Sequence, residues 1–271
     1  MVADDRIEAV MIMDHGTMQH FSMGPWPVVL ACVTSFVGSL IGLSCAARAH
    51  RDRGHRVAML WTAGGAVAIG GVAIWLMHFI AMYGFSITGT QVRYSVWLTV
   101  LSAVVSIGVV FVGLSQVTLR RFSGPRLLCA GAVAGVGVAF MHYLGMAAVR
   151  FQGDIGYDPL LVALSVVIAV VAATVAFWFT VVVRGTLARL GAGVVMAIAV
   201  SGMHYTGMAA VHVVVIPSRP APVDADAFDL VFPVFLISGL VIAGLQWALF
   251  TSIGPGADRE RAVRGGTVPG A

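Results

Sequence analysis

Charge is scarce in this chain. Only 10% of the 271 residues are charged and 59% are hydrophobic, whereas a soluble domain of this size carries about a quarter charged residues. Water is therefore not the main solvent of this protein. Lysine is missing altogether, so every basic side chain is Arg. Cysteine is limited to Cys32, Cys45 and Cys129. They are too few and too scattered for a disulfide framework, and packing is their expected role. None of the long apolar runs shows the two-residue alternation of a strand, which argues against a membrane barrel. No basic face of a soluble surface is visible, so the net charge of +4 gives no support to nucleic-acid binding. The first 26 residues lack the basic start and continuous apolar centre of a cleaved secretory signal.

What the chain does have is seven apolar runs long enough to span a bilayer as helices: Pro27 to Ala47, Val57 to Met82, Ser95 to Val117, Leu127 to Val149, Pro159 to Val183, Leu190 to Ile216 and Leu230 to Ile253. An all-α, seven-helix transmembrane bundle is expected. Residues 1–26 form an outer tail with Met and His, 27–253 the membrane domain, and 254–271 a disordered cytoplasmic tail. The loops after the first, third and fifth runs hold Arg48, Arg51, Arg53, Arg56, Arg120, Arg121, Arg126, Arg184 and Arg189, while most acids fall on the other side. By the positive-inside rule the amino terminus is outside and the carboxyl terminus cytoplasmic, as expected for a multi-pass protein of the inner (plasma) membrane.

A motif recurs three times: MHFIAM at Met77 to Met82, MHYLGM at Met141 to Met146 and MHYTGM at Met203 to Met208. The histidines are separated by 64 and 62 residues, the length of a helix pair. The chain thus reads as three two-helix repeats, all in one orientation, plus one extra helix. Gly71, Gly135 and Ala197 each stand seven positions before a motif His, and such small residues let helices approach closely. The aromatic lead-ins Tyr94 with Trp97, Tyr157 and Phe228 suit an interfacial belt.

His142 lies about 15 residues into its span, about 22 Å up at 1.5 Å per residue, in the outer third of the bilayer. His78 and His204 come out at similar heights, so three helices can bring three imidazoles into one layer. His and the second Met of each motif are four apart and share a face, with Gly145 or Gly207 as a point of close approach. Met77, Met141 and Met203, one residue before each His, are expected to point elsewhere. One membrane His alone reads as a packing residue. Three at equal height satisfy one another poorly without a metal, a cofactor or water. The candidate ligands are His78, His142, His204, Met82, Met146, Met208, Met77, Met141 and Met203. Imidazole with thioether points to copper first, with zinc and haem iron as alternatives.

The tail adds Met11, Met13, Asp14, His15, Met18, His20 and Met23 on the motif side. It reads as a flexible segment, or more sharply as one that captures metal. His212 suits interfacial snorkelling, and His50 and His55 suit a solvated loop.

With these motifs the chain resembles the MHYT-domain family of bacterial integral membrane proteins, from about Pro27 to Ile253. The resemblance implies a metal, copper in the family's proposals, held near the outer face by the motif Met and His residues. It also implies sensing of oxygen, carbon monoxide or nitric oxide. Family members are commonly fused to cytoplasmic domains that make or break cyclic di-GMP, or to kinases. Here Phe79 and Ala81 depart from the Tyr and Gly of the other motifs, and the 18 residues from 254 to 271 are too few for a catalytic output domain. Signalling through a separate protein, with the Arg loops as the partner surface, is expected, and the chain itself is not expected to be an enzyme. Two other functions fit the residues. One is a copper carrier or store with the tail as its mouth. The other is a zinc-dependent membrane hydrolase, for which the motif layer offers only Ser201, Thr206, Tyr143 and Tyr205 as further polar groups.

Overall fold

The computed structural model describes residues 18–19, 23–52 and 55–252. Tail residues Met11, Met13, Asp14, His15 and His20, and the segment 254–271, lie outside the described residues. Among the described residues, seven helices are long and apolar enough to cross a membrane. They are α1 (Trp26–Arg51), α2 (His55–Tyr83), α3 (Val96–Thr118), α4 (Gly124–Ala147), α5 (Pro159–Val182), α6 (Thr186–Ala209) and α7 (Ala227–Thr251). The protein is an all-α, multi-pass membrane protein with its apolar helix faces toward lipid.

Local chemistry sets several helix starts. Asp158 accepts hydrogen bonds from the amides of Leu160 and Leu161, with Pro159 opening α5. Asp226 and Asp229 form a reciprocal capping box on α7. Three of the sparse acids thus serve the first turns of helices that begin at the motif end, where the helix dipole favours negative charge.

Six helices close a ring. The motif helices α2, α4 and α6 alternate with α1, α3 and α5: α1 touches α2 and α6, α3 touches α2 and α4, and α5 touches α4 and α6. Helix α7 lies outside the ring against α1 and α2 and is barely buried. The sequence repeat is therefore a threefold pseudo-symmetric arrangement in space.

The small-residue face works as expected on α4, where a Cβ on Gly135 would collide with the backbone of Val170 on α5. On α2 the close approach falls one residue earlier. A Cβ on Gly70, not Gly71, would stand 2.8 Å from the Ser106 carbonyl oxygen, and Ser106 Oγ donates to the Gly70 carbonyl at 2.7 Å. The reason is a π-helical stretch at Val67–Leu76, which takes up extra residues per turn and changes the register ahead of the first motif.

The motif end carries short antiparallel strand pairs: β1 (Met18–Gln19) with β2 (Ser86–Ile87), β3 (Arg93–Tyr94) with β4 (Val149–Arg150), and β5 (Gly153–Tyr157) with β6 (Val211–Val215). The sixth span was expected to continue to Ile216, but the helix ends at Ala209. Val211–Val215 buries every second residue, with His212 exposed and Val214 half-buried between them, and pairs with β5. Its apolar composition hides a strand inside an apparent span. Tyr94 also departs from the interfacial reading, for it is buried and donates from its hydroxyl to the Met82 carbonyl at 3.2 Å. Trp97 and Phe228 are exposed, as a belt requires.

Candidate metal centre

Helices α2, α4 and α6 each contribute one imidazole to the axis of the ring. The ring centroids of His78, His142 and His204 form a near-equilateral triangle with sides of 5.0, 5.0 and 5.2 Å. All three residues are buried. The His78 Nδ1 lies 3.0 Å from the His204 Nδ1 and 3.3 Å from the His142 Nδ1. Among the described residues, these three form the cluster able to hold a metal ion.

The donor chemistry fits a cation. Two nitrogens bound at about 2.0 Å to one tetrahedral metal stand about 3.3 Å apart, close to the separations found. Hydrogen bonding alone serves the triangle poorly, because the Nδ1 of His78 cannot donate to one neighbour and accept from the other. Three imidazole nitrogens within 4.8 Å of one another suit a metal well.

The motif glycines explain how the rings fit. A Cβ on Gly145 would overlap the Nε2 of His78, and a Cβ on Gly207 would overlap the Nε2 of His142. Two of the three rings, those of His78 and His142, therefore lie on the motif glycine of the next repeat. The Nε2 of His142 has no hydrogen-bond partner among the described residues.

The six methionines divide into two layers. Met82, Met146 and Met208 are buried in a cluster with Phe85, Ile87 and the strand residues of the motif end, which forms a roof. Met77, Met141 and Met203 line a cavity of about 50 Å³ on the other side of the triad, together with the three histidines. The expectation that the leading Met turns away from its His does not hold at this cavity. A long unbranched thioether can reach a shared space from a neighbouring helical position.

Surrounding hydrogen bonds account for one departure of the first motif. Ser165 donates to the Val162 carbonyl and meets the Tyr143 hydroxyl at 2.8 Å. Phe79 has no hydroxyl to offer at the corresponding place. There, Ser102 donates to the Thr99 carbonyl and accepts from Trp75 Nε1 at 2.9 Å, and Trp75 stacks on Phe79. An indole supplies the donor that the missing phenol would have given.

The roof is tied at its edges. Arg219 grips Asp154 through two bonds of 2.7 Å, and this hydrogen bonding holds the Asp154 carboxyl below the usual carboxylate range. Arg93 pairs with Asp226 at 3.7 Å. Burial, with Asp226 as the lesser cause, pushes the Tyr94 phenol up, so it stays a neutral donor. Met18 rests against the roof, which shows that this part of the tail is docked. Met23 is exposed. Cys32 meets Ser201 at 3.4 Å and stands outside the triad, His212 lies over Gly156, and His50 and His55 are exposed at the Arg-rich end.

Comparison with known proteins agrees with this architecture. The family model for the MHYT repeat, described as a bacterial signalling protein N-terminal repeat, matches residues 71–130, 135–193 and 198–263. The chain is 38% identical to the bifunctional diguanylate cyclase/cyclic di-GMP phosphodiesterase MucR of Pseudomonas aeruginosa, over 68% of this chain and 27% of that protein. It is 32% identical to the cyclic di-GMP phosphodiesterase NbdA of the same organism, over 80% of this chain and 28% of the relative. It is also 31% identical to the signalling protein YkoW of Bacillus subtilis, over 68% and 23%. The matched part thus spans about a quarter of the length of these relatives. No solved structure matches the chain significantly. With its three matched repeats and its buried tri-histidine cluster, the chain belongs to the MHYT family of bacterial membrane signalling proteins.

Proposed function

We propose that this chain is a membrane sensor in which His78, His142 and His204 hold copper, and in which a diatomic gas (oxygen, carbon monoxide or nitric oxide) or a redox change alters the ligand set. The observation that carries this reading is the gathering of three buried imidazoles whose ligand nitrogens lie within 4.8 Å of one another, with His78 Nδ1 within 3.3 Å of both neighbours. Three imidazoles suit copper or zinc, and methionine layers on both faces favour copper, since thioether is a soft ligand. Met82, Met146 and Met208 on one face and Met77, Met141 and Met203 on the other are the candidate additional ligands. A haem fits poorly, because rings with centroids about 5 Å apart leave no space for a porphyrin between them.

Bound copper would supply an open coordination position and a redox change. The chain's own residues hold the rings: Gly145 and Gly207 seat His78 and His142. Helix α2, with its π-helical stretch directly before Met77, is the element best suited to convert a shift at His78 into a change of helix register. In this reading the motif end faces outward and the Arg-rich loops face the cytoplasm, in an inner membrane, where they offer a basic surface to a separate signalling partner. The cyclic di-GMP activities named for two relatives suggest the class of output.

A copper carrier or store is the second reading, favoured by the docking of Met18 on the roof. Deleting residues 1–24 separates the two, since a carrier loses metal uptake and a sensor keeps its bound metal. A zinc hydrolase draws less support, because Ser39 is the one other polar side chain in the cavity lining.

The test is elemental analysis of purified protein beside His78→Ala, His142→Ala and His204→Ala, followed by spectra under carbon monoxide and nitric oxide. About one copper per chain, lost in each variant, supports the reading. Equal metal in all four proteins removes it.

A further inference from the structure

The cavity beneath the triad has an uneven wall. Nearly all of its lining residues are buried, including Ala73 on α2, Val110 on α3 and Met141 on α4. The half-buried ones are Ala172 and Ala173 on α5 with Ala199 and Val200 on α6. These four lie in the middle of their helices and stand between the cavity and the lipid. On the other side of the triad, the roof of Met82, Met146, Met208, Phe85 and Ile87 is buried throughout. The path of least obstruction to the histidines therefore runs sideways through the membrane, past alanine side chains.

The cavity also selects by chemistry. At about 50 Å³ it has room for a molecule of two heavy atoms or a little water, and it is far smaller than the pockets that hold organic ligands. Its walls are apolar apart from the histidines and Ser39. The Ser39 hydroxyl is fully buried and has no hydrogen-bond partner among the described residues. Such an orphan donor is costly unless an occupant of the cavity accepts a hydrogen bond from it. An ion would be excluded here, whereas a small uncharged molecule with weak acceptor character is suited to both the wall and the hydroxyl.

We propose that α5 and α6 form a lateral portal at Ala172, Ala173, Ala199 and Val200. Through it an uncharged diatomic molecule dissolved in the bilayer enters the cavity and reaches the triad on the face turned away from the roof. This rests on the gas-sensing reading given above. It assigns that reading a docking chamber and a route that aqueous solutes cannot use.

The test uses the full chain in lipid nanodiscs, with Ala199→Phe and Ala173→Phe as separate variants. Xenon, followed by its own magnetic resonance, probes the cavity without any metal. Saturable xenon binding in the wild type, lost in both variants, is the expected result. Carbon monoxide recombination after photolysis of copper-loaded protein probes the route. It should slow by at least about tenfold in the variants while bound copper and the C–O stretching frequency stay unchanged. A roof variant, Val213→Ala, should leave that rate unchanged. Xenon binding and recombination rates equal to wild type in both copper-retaining variants overturn the portal, as does acceleration by Val213→Ala. If the wild type holds copper and binds no carbon monoxide, the gas-sensing reading fails. The xenon result then still decides whether the chamber bounded by Ala173 and Ala199 exists, and its absence in the wild type overturns the portal as well.

Discussion

The Nε2 of His78 occupies the place that a Cβ on residue 145 would need. A ring from the first repeat is thereby seated on the backbone of the second, and His142 sits on Gly207 of the third in the same way. The motif thus links repeats: each copy provides a histidine for the centre, and the second and third copies also provide a glycine seat for the ring of the copy before. Close approach is the whole reason for glycine here, since both residues lie within regular helices.

Gly145→Ala and Gly207→Ala should each displace one ring while leaving the helices intact. Bound metal should weaken by about 10- to 100-fold, as when the support of a ligand is lost. Dialysis against a competing chelator followed by elemental analysis measures this, with circular dichroism as the control for helix content. Unchanged metal retention in both variants would show that the rings can settle elsewhere.

Tyr143→Phe removes the partner of Ser165 but leaves that serine bonded to the Val162 carbonyl. The loss should therefore be small, about 0.6 kcal/mol and at most about 2. Thermal unfolding in detergent would register it as a modest shift. A collapse of the fold would mean that this hydroxyl holds more than one neighbour.

The Asp154–Arg219 pair gives a pH dependence with a definite sign. Its bonds favour the charged carboxylate in the folded protein, so the contribution is present at neutral pH and is lost as pH falls through the lowered titration range of Asp154. The protection of the Val213 and Val214 amides, on the strand beside it, relative to the unstructured chain at the same pH, should fall on acidification below about pH 4. Asp154→Asn should show the lower protection already at pH 7. Because the pair is exposed, the effect should shrink in high salt.

Much of this arrangement was legible in the sequence because it is repeated. MHYLGM and MHYTGM announced both the equivalence of α4 and α6 and the histidine layer, and Gly145 and Gly207 were readable as points of close approach. Three features were hidden for physical reasons. The strand Val211–Val215 is as apolar as a span, so hydropathy extended α6 through it. The π-helical stretch on α2 is a pattern of backbone hydrogen bonds, and its effect on Gly70 and Gly71 has no mark in composition. The burial of Tyr94 depends on strand pairs between residues far apart in the chain, whereas a tyrosine at a span end reads by default as an interfacial anchor.

X-ray absorption at the copper edge addresses the central claim most directly, because it counts the atoms around the metal. Protein loaded with one equivalent of copper should show about three nitrogen scatterers near 2.0 Å with the multiple-scattering pattern of imidazole, reduced by one in His142→Ala. A shell without imidazole nitrogen, or one identical in wild type and His142→Ala, would contradict a metal held by His78, His142 and His204.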